Sequence, residues 1–146
     1  MEATQPNERL RSFIALMGKE VENSPSPYMN WLKPVVLSAE NGALRCSFVV
    51  RKEMTNPYGI LHGGVTAGII DDLIGATVFT LGLEAQFTTI NNAIDYFATA
   101  REGDVIEGHT LILKKGRTIM NLQCEIYLPA KQRLLARGYS NMLNVG

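Results

Sequence analysis

The chain is short of the residues that build metal centres and disulfide frameworks. Its 146 residues include two cysteines and two histidines, and these form no Cys-x-x-Cys or His-x-x-x-His pair. No metal site is therefore expected. Cys46 and Cys124 each fall on the apolar phase of an alternating segment, where a thiol behaves as a small core hydrophobe, so both should be reduced and buried. Neither sign of charge is in excess: fourteen basic residues balance fourteen acidic ones, and no basic run is longer than Lys114-Lys115. The electrostatic footprint of a nucleic-acid or anionic-membrane partner is missing. Long apolar runs are missing as well. The stretch from Val65 to Leu83 is interrupted by Asp71 and Asp72, and residues 1–8 lack the basic start and apolar middle of a signal peptide. A cytoplasmic protein without a membrane span is the expectation.

What is present suits one globular core, with 46% hydrophobic residues and no internal repeat. Leu10, Phe13, Ile14, Met17 and Val21 recur at helical spacing and predict an N-terminal amphipathic helix. Ser24-Pro25-Ser26-Pro27 should end it, because each proline disfavours helix at the preceding residue, leaving a linker or lid to Trp31. Residues 1–30 are thus read as helix and linker, and 31–146 as the main domain. Asn41-Gly42 lies between Val35-Val36-Leu37-Ser38 and an alternating run with Leu44, Cys46, Phe48 and Val50 on one face, which signals a hairpin. A glycine-opened helix from Gly63 to about Leu81 comes next. Strands are then expected over 88–98, 105–114, 118–128 and 134–145, with turns at Arg101–Asp104, Lys115–Arg117 and Pro129–Gln132. One apolar helix among five or six antiparallel strands implies an α+β fold in two layers, with the sheet curled around the helix.

The chemistry concentrates in Asn56-Pro57-Tyr58-Gly59-Ile60-Leu61-His62-Gly63-Gly64 and the helix it opens. Bare glycine N–H groups at the positive end of a helix can meet a ligand oxygen with no Cβ in the way. Asp71, nine residues after His62, sits among Ile69, Ile70, Leu73 and Ile74, where a buried carboxylate is costly unless it has a purpose. Attack on a carbonyl carbon needs a donor for the carbonyl oxygen and a base or nucleophile at the carbon. Gly63, helped by Gly64, is the candidate donor and Asp71 the candidate base or nucleophile. The Asn56 amide could hold water or the carbonyl, and His62 is read as shaping the loop through a hydrogen bond. If Gly63 starts the helix, Asp71 lies about 12 Å along it, too far for both to grip one carbonyl. A second chain with its helix alongside in the opposite sense would bring its own Asp71 to Gly63. The site should therefore lie between two subunits, with Gly64, Ala67, Gly68, Asp71 and Gly75 forming a stripe that allows close approach. A homodimer is expected, and a dimer of dimers can follow.

The order Asn, two residues, Gly, two residues, His-Gly-Gly, then an acid nine after the His resembles the hotdog-fold acyl-CoA thioesterases, in particular the phenylacetate-pathway, PaaI-like branch. The resemblance continues through Thr88 to Phe97, Arg101-Glu102-Gly103-Asp104 and Lys115-Gly116-Arg117-Thr118, and so covers most of the chain from about Trp31. It implies a hotdog fold, hydrolysis of an aryl- or medium-chain acyl-CoA, and the roles already given to Asp71 and Gly63. Coenzyme A is then part of the substrate and no cofactor is needed. Thr89 matches a position where related enzymes carry Ser or Thr near the reacting centre. Tyr58 could touch the acyl group, and Lys115 and Arg117 could reach coenzyme A phosphates, although a solvated hairpin tip is the plainer reading of that pair. Asp72 is an acid beyond the pattern, read as a structural or supporting polar group. The competing readings are a non-catalytic acyl-CoA-binding protein and, fitting the His–Asp spacing less well, an acyl-CoA hydratase.

Overall fold

The computed structural model describes residues 5–146; residues 1–4, part of the segment read above for a signal peptide, lie outside the described residues. Helix α1 (Glu8–Ile14) is followed by α2 (Pro27–Leu32), the hairpin strands β1 (Val35–Glu40) and β2 (Ala43–Val49), the long helix α3 (Gly63–Phe79), and strands β3 (Phe87–Tyr96), β4 (Val105–Lys115), β5 (Ile119–Leu128) and β6 (Arg133–Asn144). The six strands form one antiparallel sheet in the order β1-β2-β4-β5-β6-β3. Helix α3 lies across it, packed on β2 through β6. This is the helix-in-sheet arrangement expected of a hotdog fold.

Alternation decides which face of the sheet meets the helix. Leu44, Cys46, Phe48 and Val50 point inward, as do Met120, Leu122, Cys124, Ile126 and Leu128, and all are buried. They enclose Ile69, Ile70, Leu73 and Ile74, none of which retains exposed surface. Burying such a side chain is worth about 1.5–3 kcal/mol, so these four alone anchor α3 firmly. Two glycines let the helix come close: a Cβ at Gly108 would collide with Leu73, and one at Gly138 would sit 2.9 Å from Ile70 Cγ2. Both cysteines are free and buried, as read from their phase.

The N-terminal region departs from the sequence reading in two places. The first helix stops at Ile14 rather than running to Val21, because Gly18, at φ +80°, turns the chain so that its N–H reaches Val36 O at 2.8 Å. Val21 is buried nonetheless, arriving through the Glu20–Val35 bridge beside β1. The expected linker contains a helix. Pro27 occupies the first turn of α2, where its missing N–H costs nothing, and the Ser26 hydroxyl caps it by accepting from Met29 N at 3.2 Å.

Candidate active site

A pinned loop delivers the start of α3. Asn56 Oδ1 accepts from Tyr58 N at 3.0 Å and Ile60 N at 3.4 Å, and Gly59 takes the positive φ of +75° that the reversal requires. His62 N then bonds Met54 O at 2.8 Å, and Leu61 N bonds Ala100 O at 2.8 Å. His62 is the N-cap: its Nδ1 accepts from Gly64 N at 2.8 Å. That ring nitrogen is the acceptor, and the bond holds the first turn of the helix. The bond also corrects the expectation for Gly64, whose N–H is spent on the imidazole. Gly63 N–H takes no acceptor among the described residues and stays exposed at the positive end of the helix. Tyr96 Oη donates to Gly63 O at 2.9 Å and so fixes the neighbouring peptide.

Asp71 stands two turns further along. In the single chain it is exposed, not buried as its apolar neighbours suggested, because it lies against β3, the terminal strand of the sheet. Thr89 Oγ1 and Asn92 Nδ2 both donate to its Oδ1, at 2.8 and 3.0 Å. Residues three apart on a regular strand point to opposite faces. Here a bulge between Thr89 and Asn91 slips the alternation by one, so that Thr89, Asn92 and Ile94 share the inner side. The carboxylate is thereby oriented through one oxygen, while Oδ2 has no donor among the described residues.

Asp72 turns toward the N-terminal segment, where Ser26 Oγ donates to its Oδ1 at 3.2 Å. Its Oδ2 is buried with no hydrogen-bond partner. Burial, reinforced by the charge of Asp71 and opposed by the Ser26 bond, leaves its carboxyl pushed up to about 6. A cavity of about 860 Å³ opens beside these groups, within the range of small-molecule sites. Asp71, Asp72 and Thr89 line it, along with Phe13, Leu16 and Met29 from the N-terminal segment.

The structure therefore gathers Asp71, Thr89 and Asp72 at the middle of α3, and His62, Gly63 and Gly64 at its N-terminal end. Asn56 and the 83% exposed Tyr58 lie on the loop before the helix, and Lys115 and Arg117 are exposed at the β4–β5 turn; none of these four lines the cavity. Among the described residues no group of three or more His, Cys, Asp or Glu could hold a metal ion, and no helix is long and apolar enough to cross a membrane. Sequence reasoning missed Asn92, Tyr96 and Ser26. Consecutive polar residues, Asn91-Asn92, inside a strand were the available signal for the first. Nothing local marks the other two, whose partners are 33 and 46 residues away.

Several known proteins are similar to this chain. The human protein named acyl-coenzyme A thioesterase 13 is 29% identical over 106 residues, covering 73% of this chain and 76% of that protein. The crystal structure of zebra fish thioesterase superfamily member 2 matches with a TM-score of 0.77 at 27% identity, over 99% of this chain and 100% of that one. The PaaI protein of the phenylacetic acid degradation operon of E. coli shares the fold, with a TM-score of 0.77 at 16% identity over 84% of this chain and 86% of its own. The family model described as the thioesterase superfamily matches residues 58–133, a span that runs from the loop before His62 through α3 to the start of β6. By that match, over more than half of its length, the chain belongs to the thioesterase superfamily.

Proposed function

We propose that the protein is an acyl-CoA thioesterase that acts as a homodimer, with Asp71 of one subunit and Gly63 of the other at each site. The observation that carries this reading is a carboxylate oriented by Thr89 and Asn92 on the wall of a large, mostly apolar cavity. The name of the human relative supports an acyl-CoA substrate. The reaction consumes water and a thioester and yields a carboxylic acid and a thiol. Asp71 Oδ2 removes the proton from the attacking water, or attacks the carbonyl carbon itself and is released when water hydrolyses the resulting anhydride. The Gly63 N–H, reinforced by the helix dipole, holds the carbonyl oxygen as negative charge grows on it. His62 keeps the helix start in place, and the Asn56 oxygen holds the loop that leads to it.

Distance and the free edge of the sheet at β3 support the two-subunit arrangement. Strand β3 is terminal in the strand order and presents ten residues of backbone that want a partner. It runs beside α3 with Thr89 and Asn92 at Asp71 and Tyr96 at Gly63. A two-fold axis that lays β3 antiparallel to its copy and exchanges those two ends must pass midway between them, near the exposed Ala93. Its small side chain suits close approach at such an axis. Coenzyme A would then enter from solvent and the acyl group would fill the cavity.

The test is release of free thiol from acyl-CoAs of graded size, followed with a thiol reagent. Steady turnover that is lost in Asp71→Asn supports the reading. Tight acyl-CoA binding without turnover supports the non-catalytic alternative.

A further inference from the structure

One wall of the cavity is a single stretch of chain, residues 19–26, which lines it without a break. Its near end is fixed to β1: Gly18 N bonds Val36 O and Val21 N bonds Pro34 O, both at 2.8 Å, and Val21 is buried. Its far end is fixed by α2, where Met29 and Leu32 are buried. Between these anchors lies a strap, residues 22–26, none of whose side chains is buried. Most of its hydrogen bonds stay local: Ser24 N and O bond the Asn30 side chain, and Ser26 N bonds Ser24 Oγ. One reaches further. Ser26 Oγ donates to Asp72 Oδ1 on α3 at 3.2 Å, and among the described residues this is the strap's only hydrogen bond to anything beyond residue 30.

A segment pinned at both ends, with few buried contacts between them, opens locally at low cost. The group it is fastened to makes that cost depend on protonation. Asp72 Oδ2 is enclosed without a partner, so under the closed strap an ionised carboxylate is short of donors, whereas opening returns it to water. Its neighbours do not offset this. Asp71 on the same helix adds like charge. Tyr28 from α2 and Cys46 from β2 flank it, and burial, then the Asp72 charge, raises the phenol and pushes the thiol up to about 12, so both stay neutral. On the cavity wall Lys19 is outweighed by Glu20 and Glu22, and among the described residues no Lys or Arg forms an ion pair with Asp72. Burial accordingly pushes the Asp72 carboxyl up to about 6, from an ordinary 3.8 that it regains when the strap opens. Closure is unopposed below the lower value, weakens about tenfold per pH unit between the two, and weakens no further above the higher. We propose that the Ser26–Asp72 hydrogen bond is a protonation-sensitive clasp, which holds the strap against α3 while Asp72 is neutral and releases it, opening the cavity to the acyl group, when Asp72 ionises. This proposal rests on the acyl-CoA reading above and names how that site is regulated.

Hydrogen–deuterium exchange at the Ser24 and Asn30 amides, divided by the intrinsic rate at each pH, reads strap opening in the wild-type protein, Asp72→Asn and Ser26→Ala. Wild-type exchange should rise about tenfold from pH 5 to pH 6 and level off by pH 7. Amides of β5 should exchange far more slowly throughout, which marks the opening as local. Asp72→Asn should show no such rise. A flat wild-type profile, an equal rise in Asp72→Asn, or one common rate for strap and β5 overturns the proposal. Ser26→Ala should exchange at least about threefold faster than wild type at pH 5, and an unchanged rate there also overturns it. Should Asp72→Asn not fold, the wild-type profile decides, because a rise that continues above pH 7 belongs to another group and overturns the clasp. Association of the dodecyl thioether of coenzyme A, which cannot be hydrolysed, is then timed at pH 5 and pH 7. Its rate should follow the strap in wild type, with Asp72→Asn correcting for titration of the coenzyme A phosphate. A strap that moves without changing the association rate overturns the gating. If the thioether does not bind at all, the acyl-CoA reading has failed instead, and strap exchange alone decides on the clasp.

Discussion

Two neighbouring aspartates show how differently one residue type behaves one helical step apart. Asp71 accepts two hydrogen bonds in the open, whereas Asp72 is largely enclosed with one. Replacing Asp71 with Asn should leave the fold intact and lower kcat by at least about a hundredfold, the usual scale for losing a base or nucleophile. Stopped assays and circular dichroism on the same preparation check both halves of that statement. Asp72→Asn should act on stability instead. The Asp72 carboxyl is pushed up to about 6 in the fold from an ordinary 3.8, so ionising it disfavours the folded state. The penalty is absent at pH values below the ordinary one, grows as pH rises between the two, and is complete above the folded value. Asp72 lies in the field of Asp71, accepts from Ser26 and forms no ion pair among the described residues, although Lys19, Glu20 and Glu22 line the same cavity. Asp72→Asn should therefore melt higher than wild type at pH 8, with the gain shrinking as pH falls through 6 toward 4. Thermal melts across that range test the sign, and a variant that melts lower at pH 8 contradicts it.

At the scale of elements, the sequence pattern worked where a single face is buried and failed where a second element intervened. The alternation of Met120 through Leu128 placed β5 correctly because one face of it meets α3 throughout. The same alternation gave no warning of the bulge in β3, whose extra residue, Ile90, has no register partner in β6, so that both Thr89 and Asn92 reach Asp71. Helix α2 was hidden by its prolines, although Ser-Pro is also a good helix start when serine caps and proline opens the first turn. Ser26 joins two elements, capping α2 while its hydroxyl proton goes to Asp72. Ser26→Ala should cost about 1–2 kcal/mol, the range for a lost helix cap, measured by urea unfolding at neutral pH. A change within a few tenths would show that α2 is held by Met29 and Leu32 alone.

For the whole molecule, the decisive question is whether each site draws on two chains. Gly63→Pro removes the proposed donor at a helix position that tolerates proline, and Asp71→Asn removes the proposed base or nucleophile. Each variant alone should be inactive. Unfolded together and refolded, they should form heterodimers in which one of the two sites has both native groups, recovering up to about half of a native dimer's activity when the sites act independently. Heterodimers verified by mass spectrometry but without activity would refute the shared site. Much of this organisation was readable from the chain itself: hydrophobic period set the helix and strands, glycine and histidine spacing marked the start of α3, and helical rise alone separated Gly63 from Asp71. These are local or geometric properties, and local order in the sequence carries them directly. Tertiary structure decided the rest, namely that Gly64 spends its N–H on His62, that Asn92 joins Thr89 on Asp71, that Tyr96 holds Gly63, and that Ser26 closes onto Asp72. All but the first join residues 18 to 46 positions apart. Which atoms meet over such separations depends on sheet register, on one bulge and on how closely α3 settles onto the strands, and packing of the whole chain sets these together.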